Sequence, residues 1–375
     1  MNVIDYIDKY GDYSFKKKPL NEIDKLIFGL LSYVHYDGTV SYNSKDKRTV
    51  KQVAREFFKK NSKSDIRKNI TAVRGSIKIL NAIQDKKRYK DLLLYNDIYI
   101  TDEEQQFSAL CIEIEPKLVY VSFEGTDQQI SGWEEDGKMI YKFPVKAQKQ
   151  AIKYLNKHFT FKNCKIIVGG HSKGGNLALV SAMYSNFLVR RKIVQIYSYD
   201  GPGLRRKQII SKRYKKAEDK LRHIIPNYSI VGLLLRHTNN YTVVKSRKMG
   251  IMAHDAQSWQ VDGDDFVKVK LSMSSKVLDH GILTWLDNYN EQERKEFVKE
   301  LFEIFKKHNV TSLLQFVEEP RLLIKLMKDT SNMDPIIKEM VKELVEILKE
   351  YSKQAVVTTI SKSLGVKNPE MLKLR

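Results

Sequence analysis

The pentapeptide Gly170-His171-Ser172-Lys173-Gly174 sets a serine between glycines where the apolar run IIVGG ends and the apolar segment NLALVSAMYS begins. A strand entering the turn and a helix leaving it form the context that a G-x-S-x-G nucleophile elbow requires. Small residues let the chain turn sharply and let the helix pack close, so that the serine oxygen stands above the sheet edge. The Lys173 amide, at the N-terminus of that helix, can then face a developing oxyanion. An ordinary glycine-rich turn is the competing reading, and what separates the two is whether partners for the serine exist.

A serine hydroxyl is a weak nucleophile until a base takes its proton and a carboxylate orients that base. In elbow-type enzymes the chain order is serine, acid, histidine. Asp200 ends the strand-like segment IVQIYSY, 28 residues beyond Ser172, and Gly201-Pro202-Gly203 then turns the chain away. A strand beside the nucleophile strand would bring that carboxylate near the serine. Asp255 and Asp262 are the alternative acids, and an Asx turn is the plain structural role for Asp200. His223, His237, His254, His280 and His308 follow it. His223 falls inside a predicted strand and His308 beyond an amphipathic helix. His254 lies in GIMAHDAQSW, an irregular stretch after TVVKS, and is the expected base. His237 and His280 remain the alternatives.

The elements that must position these groups show in the spacing of apolar residues. Residues 1 to about 90 read as mainly helical and basic, with KKNSKSDIRKN exposed and Leu26–Val34 a buried helix too short to span a bilayer. Ser108–Glu115 and Leu118–Phe123 predict a strand pair about a Pro116-Lys117 turn, followed by EGTDQQISGWEEDG as a loop. Val145–Phe159 has helical spacing. From there the order is strand, helix, strand, helix, strand, which predicts an α/β fold: a mostly parallel sheet covered on both faces by helices. In such sheets the ligand site lies beyond the carboxyl ends of the strands, where Ser172 and Asp200 both fall. The expected division is a main domain over 1–289 with a helical N-terminal region, and a helical C-terminal extension over 290–375. In the extension Phe297, Val298, Leu301, Phe302 and Phe305 form one stripe, and Asp334-Pro335 starts a second helix reaching about 353.

Lys and Arg number 66 against 45 Asp and Glu, a net charge of +21 in 375 residues that are 42% hydrophobic. The basic residues are spread along the chain and no nucleic-acid-binding motif accompanies them, so a solvated basic surface is expected and specific nucleic-acid binding is not. Such a surface favours peripheral contact with an anionic membrane. Cys111 and Cys164 sit in strand-like apolar stretches and read as buried free thiols, which suits a reducing cytoplasm. The N-terminus lacks the pattern of a cleaved signal. Metal-binding spacings, a Walker loop and a G-x-G-x-x-G after a strand are all missing, so neither a metal nor another cofactor is expected.

Three stretches carry a family resemblance. Val119–Gly137 (VYVSFEGTDQQISGWEEDG) resembles the class 3 lipases, where Phe-x-Gly-Ser/Thr ends a strand and a Trp and an Asp follow; IIVGGHSKGGNLALVSA and QIYSYDGPGL resemble the elbow and the next strand. The likeness spans roughly 110 to 205. SIVGLLL and the HDAQSW stretch are similar to an uncharacterised bacterial lipase-like branch. The resemblance implies an α/β-hydrolase fold, hydrolysis of lipid esters, and an oxyanion hole made by Thr126 opposite the Lys173 amide. Two positions depart from it: Glu124 stands where an arginine is usual, and Ser229 stands where those lipases carry the acid. Asp200 supplies a carboxylate one strand earlier, as pancreatic-type lipases do. The expected function is therefore a serine esterase acting on acyl lipids, lysolipids or small esters through Ser172, His254 and Asp200. The alternatives are a weak or inactive hydrolase scaffold that binds membranes or proteins, and, last, a nucleic-acid binder.

Overall fold

The computed structural model describes the chain except for residues 70, 103, 127–129, 311–314, 316–332 and 364–375. The N-terminal region is helical as its pattern predicts: α1 (Val3–Tyr10), α2 (Glu22–Leu31), α3 (Val50–Lys60), α4 (Lys63–Lys68) and α5 (Thr71–Ile83). Asn21 caps α2, accepting from the Ile23 and Asp24 amides while the Asp24 carboxylate takes the Asn21 N–H. The apolar run of α2 is buried along its length and packs on the sheet, well within a protein core.

Eight strands make one sheet whose spatial order is the chain order. They are β1 (Arg48–Thr49), β2 (Leu93–Thr101), β3 (Gln106–Glu115), β4 (Leu118–Phe123), β5 (Lys165–His171), β6 (Ile193–Tyr199), β7 (Leu221–Pro226) and β8 (Tyr241–Val244). The first four pair antiparallel, and β4 through β8 pair parallel. The helices between the parallel strands are α6 (Ile130–Lys138), α7 (Lys146–Phe159), α8 (Lys173–Tyr184), α9 (Phe187–Lys192), α10 (Arg206–Ile209) and α11 (Lys212–Glu218). One apolar core joins α1, α2, α3 and α5 to one face of the sheet; a second joins α7, α8 and α11 to the other. This is the mostly parallel, helix-covered sheet that the alternation predicts, in the α/β-hydrolase arrangement that the resemblance implies.

Two elements differ from the sequence reading. Residues 93–101, to which the sequence reading assigns no element, form a full strand on β3; the run alternates only in part, and its pairing with β3 decides its conformation. The stretch after Phe123 contains α6 rather than a continuous loop. Its two glycines weaken helix propensity, and tertiary contact supplies what propensity does not: a Cβ on Gly137 would lie 3.1 Å from the Phe302 ring and 3.2 Å from Val298. Those two side chains belong to α13 (Glu291–Lys307), which shares a third apolar cluster with α12 (Met273–Asn288) and α14 (Pro335–Ser363). Asp334 accepts the Ile336 amide at the start of α14, as its N-cap position requires. Cys111 and Cys164 are both buried and free, the latter just ahead of β5.

A buried ion pair anchors the N-terminal layer. Arg88 donates to Asp24 at 2.7 and 2.5 Å and to the carbonyls of Tyr13, Lys18 and Pro19, while Tyr89 donates to the same carboxylate at 2.8 Å. Neither side chain is exposed. Removing one partner strands the other charge in the core, so Arg88→Met should lower the unfolding free energy by about 3–5 kcal/mol. Urea denaturation followed by tryptophan fluorescence checks this.

Candidate active site

β5 delivers its last residue, His171, to the sheet edge, and Ser172 follows with φ 59° and ψ −134° before α8 begins. A side chain rarely adopts that backbone region, and it persists because the surroundings over-determine it. The Ser172 amide donates to the Tyr199 carbonyl at the end of β6, 2.9 Å away, and the Gly175 amide returns to the Ser172 carbonyl. Gly174 admits β4 from the other side: a Cβ there would lie 2.1 Å from the Phe123 carbonyl oxygen. The end of β4 and the elbow therefore touch backbone to backbone.

Asp200 follows β6 at φ 49°, and its amide is held by the Ile224 carbonyl. Its carboxylate is fully buried. Oδ2 accepts from His254 Nδ1 at 2.6 Å, and Oδ1 accepts from the Ser229 hydroxyl at 2.5 Å and the Gly232 amide at 3.1 Å. With Nδ1 bonded to a carboxylate, the neutral imidazole of His254 carries its proton there and leaves Nε2 to accept another. Ser229, the residue at the position where the resemblance implies an acid, thus hydrogen-bonds the carboxylate that stands one strand earlier.

His254 ends a short 3-10 turn, Gly250–His254, held by the Trp259 indole N–H to the Ala253 carbonyl at 2.9 Å and by His171. His171 Nε2 lies 2.8 Å from the His254 carbonyl oxygen, which can only accept, so Nε2 is the protonated nitrogen of His171. Its Nδ1 then accepts from the Tyr33 hydroxyl at 3.1 Å. Burial, and after it the neighbouring His254, press the His171 pKa down to about 3. A neutral imidazole therefore lies beside His254, their ring centroids 4.4 Å apart and the planes tilted by 35°.

Ser172, His254, Thr126, Trp133, Met252 and Leu30 all line one cleft of about 150 Å³, mostly apolar. Among the described residues Ser172 Oγ and His254 make no direct hydrogen bond; in apo sites such bonds often close only around the substrate. Thr126 directs its hydroxyl to Asp136, and this leaves its amide as the donor it can turn to the cleft. The Lys173 side chain points inward, away from solvent, toward Gln106, Glu135 and Asp136. Glu124, at the position of the usual arginine, is buried and meets His35 Nε2 at 3.0 Å. Asp255 also lines the cleft, but its carboxylate pairs with Lys248, and Asp262 lies in a separate short ribbon. His237 faces Asp279, and His280 lies on α12. Tyr33, Gln106 and Glu135 are contributors that sequence reasoning missed, because nothing local marks a residue whose partner is distant in the chain.

The family model described as Mbeg1-like matches residues 83–303, more than half of the chain. The chain belongs to the Mbeg1-like family. That span contains the elbow, Asp200 and His254, whereas Tyr33 and the first helices of the Mbeg1-like chain lie before it. No curated protein sequence matches it. Among solved structures it is similar to the native Rhizomucor miehei lipase propeptide complex at 16% identity and a TM-score of 0.34, covering 44% of this chain and 58% of that one. It is similar to M37 lipase at 17% identity and a TM-score of 0.34, covering 56% of this chain and 67% of that one. The Mbeg1-like chain thus spans under two thirds of the Rhizomucor miehei lipase.

Because Ser172 is held in a backbone region suited to glycine, Ser172→Gly should be more stable than Ser172→Ala by about 1 kcal/mol in thermal unfolding. Stability should also depend on pH. His171 and His223 titrate near 3 and 4 when folded, both depressed chiefly by burial, against an ordinary 6.5. The unfolded chain binds more protons between those values, so the contribution of these two histidines to stability is full above about pH 6.5 and is lost as pH drops toward 4. The melting temperature should decline over that window, with a shallower slope in His223→Gln.

Proposed function

We propose that the Mbeg1-like chain is a serine hydrolase that cleaves carboxylic esters, with acyl lipids or lysolipids as the substrate class. The observation that carries this reading is the His254 Nδ1–Asp200 Oδ2 hydrogen bond of 2.6 Å beside a serine on a positive-φ elbow in the same cleft. His254 Nε2 takes the Ser172 hydroxyl proton as Oγ attacks the ester carbonyl carbon. The Lys173 and Thr126 amides hold the oxyanion, and Asp200 offsets the imidazolium charge. The imidazolium then protonates the departing alkoxide, and a water deprotonated by His254 cleaves the acyl-enzyme. The apolar walls of the cleft support an acyl group as the part recognised.

The motif order and the FEGT loop support a place beside the class 3 lipases, in the bacterial lipase-like branch. Peripheral contact with an anionic membrane belongs to the same proposal. It is supported by a groove of about 420 Å³ rimmed by Arg190, Arg191, Lys212, Arg213, Lys216 and Lys220, with Phe187 exposed at its edge. Among the described residues none of those six forms a salt bridge.

Ser172→Ala should abolish hydrolysis of short and medium p-nitrophenyl esters and labelling by a fluorophosphonate probe while leaving the melting transition cooperative. Asp200→Asn should cost on the order of 10⁴ in kcat. Equal hydrolysis and labelling in wild type and Ser172→Ala would return the chain to the scaffold reading.

A further inference from the structure

Three side chains behind the elbow have no part in the proton transfers: Gln106, Glu135 and Lys173, exposed by 0, 1 and 1%. Polar groups so deeply buried are costly unless each is hydrogen-bonded to a purpose-built partner. Lys173 Nζ donates to the Gln106 carbonyl oxygen at 2.9 Å and to Gln106 Oε1 at 2.7 Å, with the Glu135 carboxylate 3.6 Å away. Glu135 in turn accepts from the Gln106 amide at 3.4 Å and from the Ala147 amide, in the first turn of α7, at 2.7 Å. With Oε1 facing an ammonium, the orientation of the Gln106 side-chain amide is settled. Its Nε2 end donates to the Gly125 carbonyl at 3.2 Å.

That carbonyl shares a peptide with the Thr126 N–H. Among the described residues the cis bond is Phe143-Pro144, so the Gly125–Thr126 peptide is trans, with its C=O and N–H pointing in opposite directions. Drawing the carbonyl toward Gln106 turns the amide away from the buried cluster. The elbow adjoins this peptide: a Cβ on Gly125 would lie 2.0 Å from the Tyr33 hydroxyl, 2.6 Å from the His171 carbonyl oxygen and 2.9 Å from Ser172 Cβ. Thr126 N–H has no acceptor among the described residues, and the Thr126 hydroxyl is occupied with Asp136.

We propose that Gln106, clamped by Lys173 and Glu135, is the positioning residue that aims the Thr126 amide at the oxyanion formed on Ser172. The proposal rests on the hydrolase reading for its chemistry, but the peptide orientation stands apart from it. The Lys173 side chain and backbone thus serve one oxyanion from two directions, the backbone as donor and the side chain as the clamp on the opposite donor.

Gln106→Glu tests this, since it keeps size and an acceptor for Lys173 but sets a carboxylate oxygen against the Gly125 carbonyl. Expected are a kcat loss on the order of 100-fold on p-nitrophenyl butyrate, the range for a lost oxyanion donor, with KM within about threefold. Affinity for an alkyl trifluoromethyl ketone, whose adduct carries the oxyanion, should fall in parallel, and the acid limb of the pH–rate profile should stay in place. Gln106→Met, which adds no charge, guards against a folding failure and should move in the same direction. Lys173→Met should lose less, and combining it with Gln106→Met should add little because both act through one amide. Crystal structures should show the Gly125–Thr126 peptide rotated in Gln106→Glu and unchanged in Ser172→Ala. A kcat within about threefold of wild type in both Gln106 variants, or an unmoved peptide, overturns the proposal. If wild type neither hydrolyses the ester nor takes the fluorophosphonate, the hydrolase reading fails, and the two crystal structures still decide whether Gln106 positions the peptide.

Discussion

A carboxylate with no exposure to water must have its charge met by the protein, and at the carboxyl end of β6 the group so placed is Asp200. Its three hydrogen-bond donors come from two separate segments: His254 on one, and Ser229 and Gly232 together in the turn that follows β7. Those segments converge only if β6 lies between β5 and β7 in the observed register. The candidate site is therefore a property of the sheet, and a loop that slipped away from Asp200 would leave a buried charge unmet. This is the physical reason for the location of His254 on a short turn pinned at both its carbonyl and its ring.

A second constraint acts at the serine. The elbow backbone is held in a region that a serine rarely adopts, by a hydrogen bond from its amide to β6 on one side and the close approach of β4 on the other. Strain of this kind survives where neighbouring elements are rigid, and here two apolar cores clamp the sheet from both faces. The N-terminal layer contributes directly to the site, because α2 carries the core packing and Tyr33, just beyond it, reaches His171. The helical N-terminal region is thus part of the wall of the cleft.

Much of this was legible in order but not in space. The alternation of apolar runs announced a parallel sheet, and G-x-S-x-G between a strand and a helix announced the elbow. His254 could be singled out from its irregular surroundings, yet nothing local distinguished its partner from Asp255, because an aspartate pairs with whatever the fold sets against it. Asp255 has Lys248 and Asp200 has His254. Likewise, basic residues that look dispersed along the chain come together around one groove once α9 and α11 are folded side by side. Residues 204–220 lie at that groove and at a neighbouring one, while Thr71, Ile251 and Met252 line the cleft itself.

The sequence by itself determined the fold class, the strained serine turn and the chain order of serine, acid and histidine, since these depend on period, small residues and neighbours close along the chain. Only the tertiary structure decided which acid meets which histidine, that Ser229 supports the relocated carboxylate, and that Gln106 and Lys173 fix a peptide on the far side of the elbow. Those pairings join residues tens of positions apart. Burial makes them obligatory, and burial is set by packing rather than by any local pattern of residues.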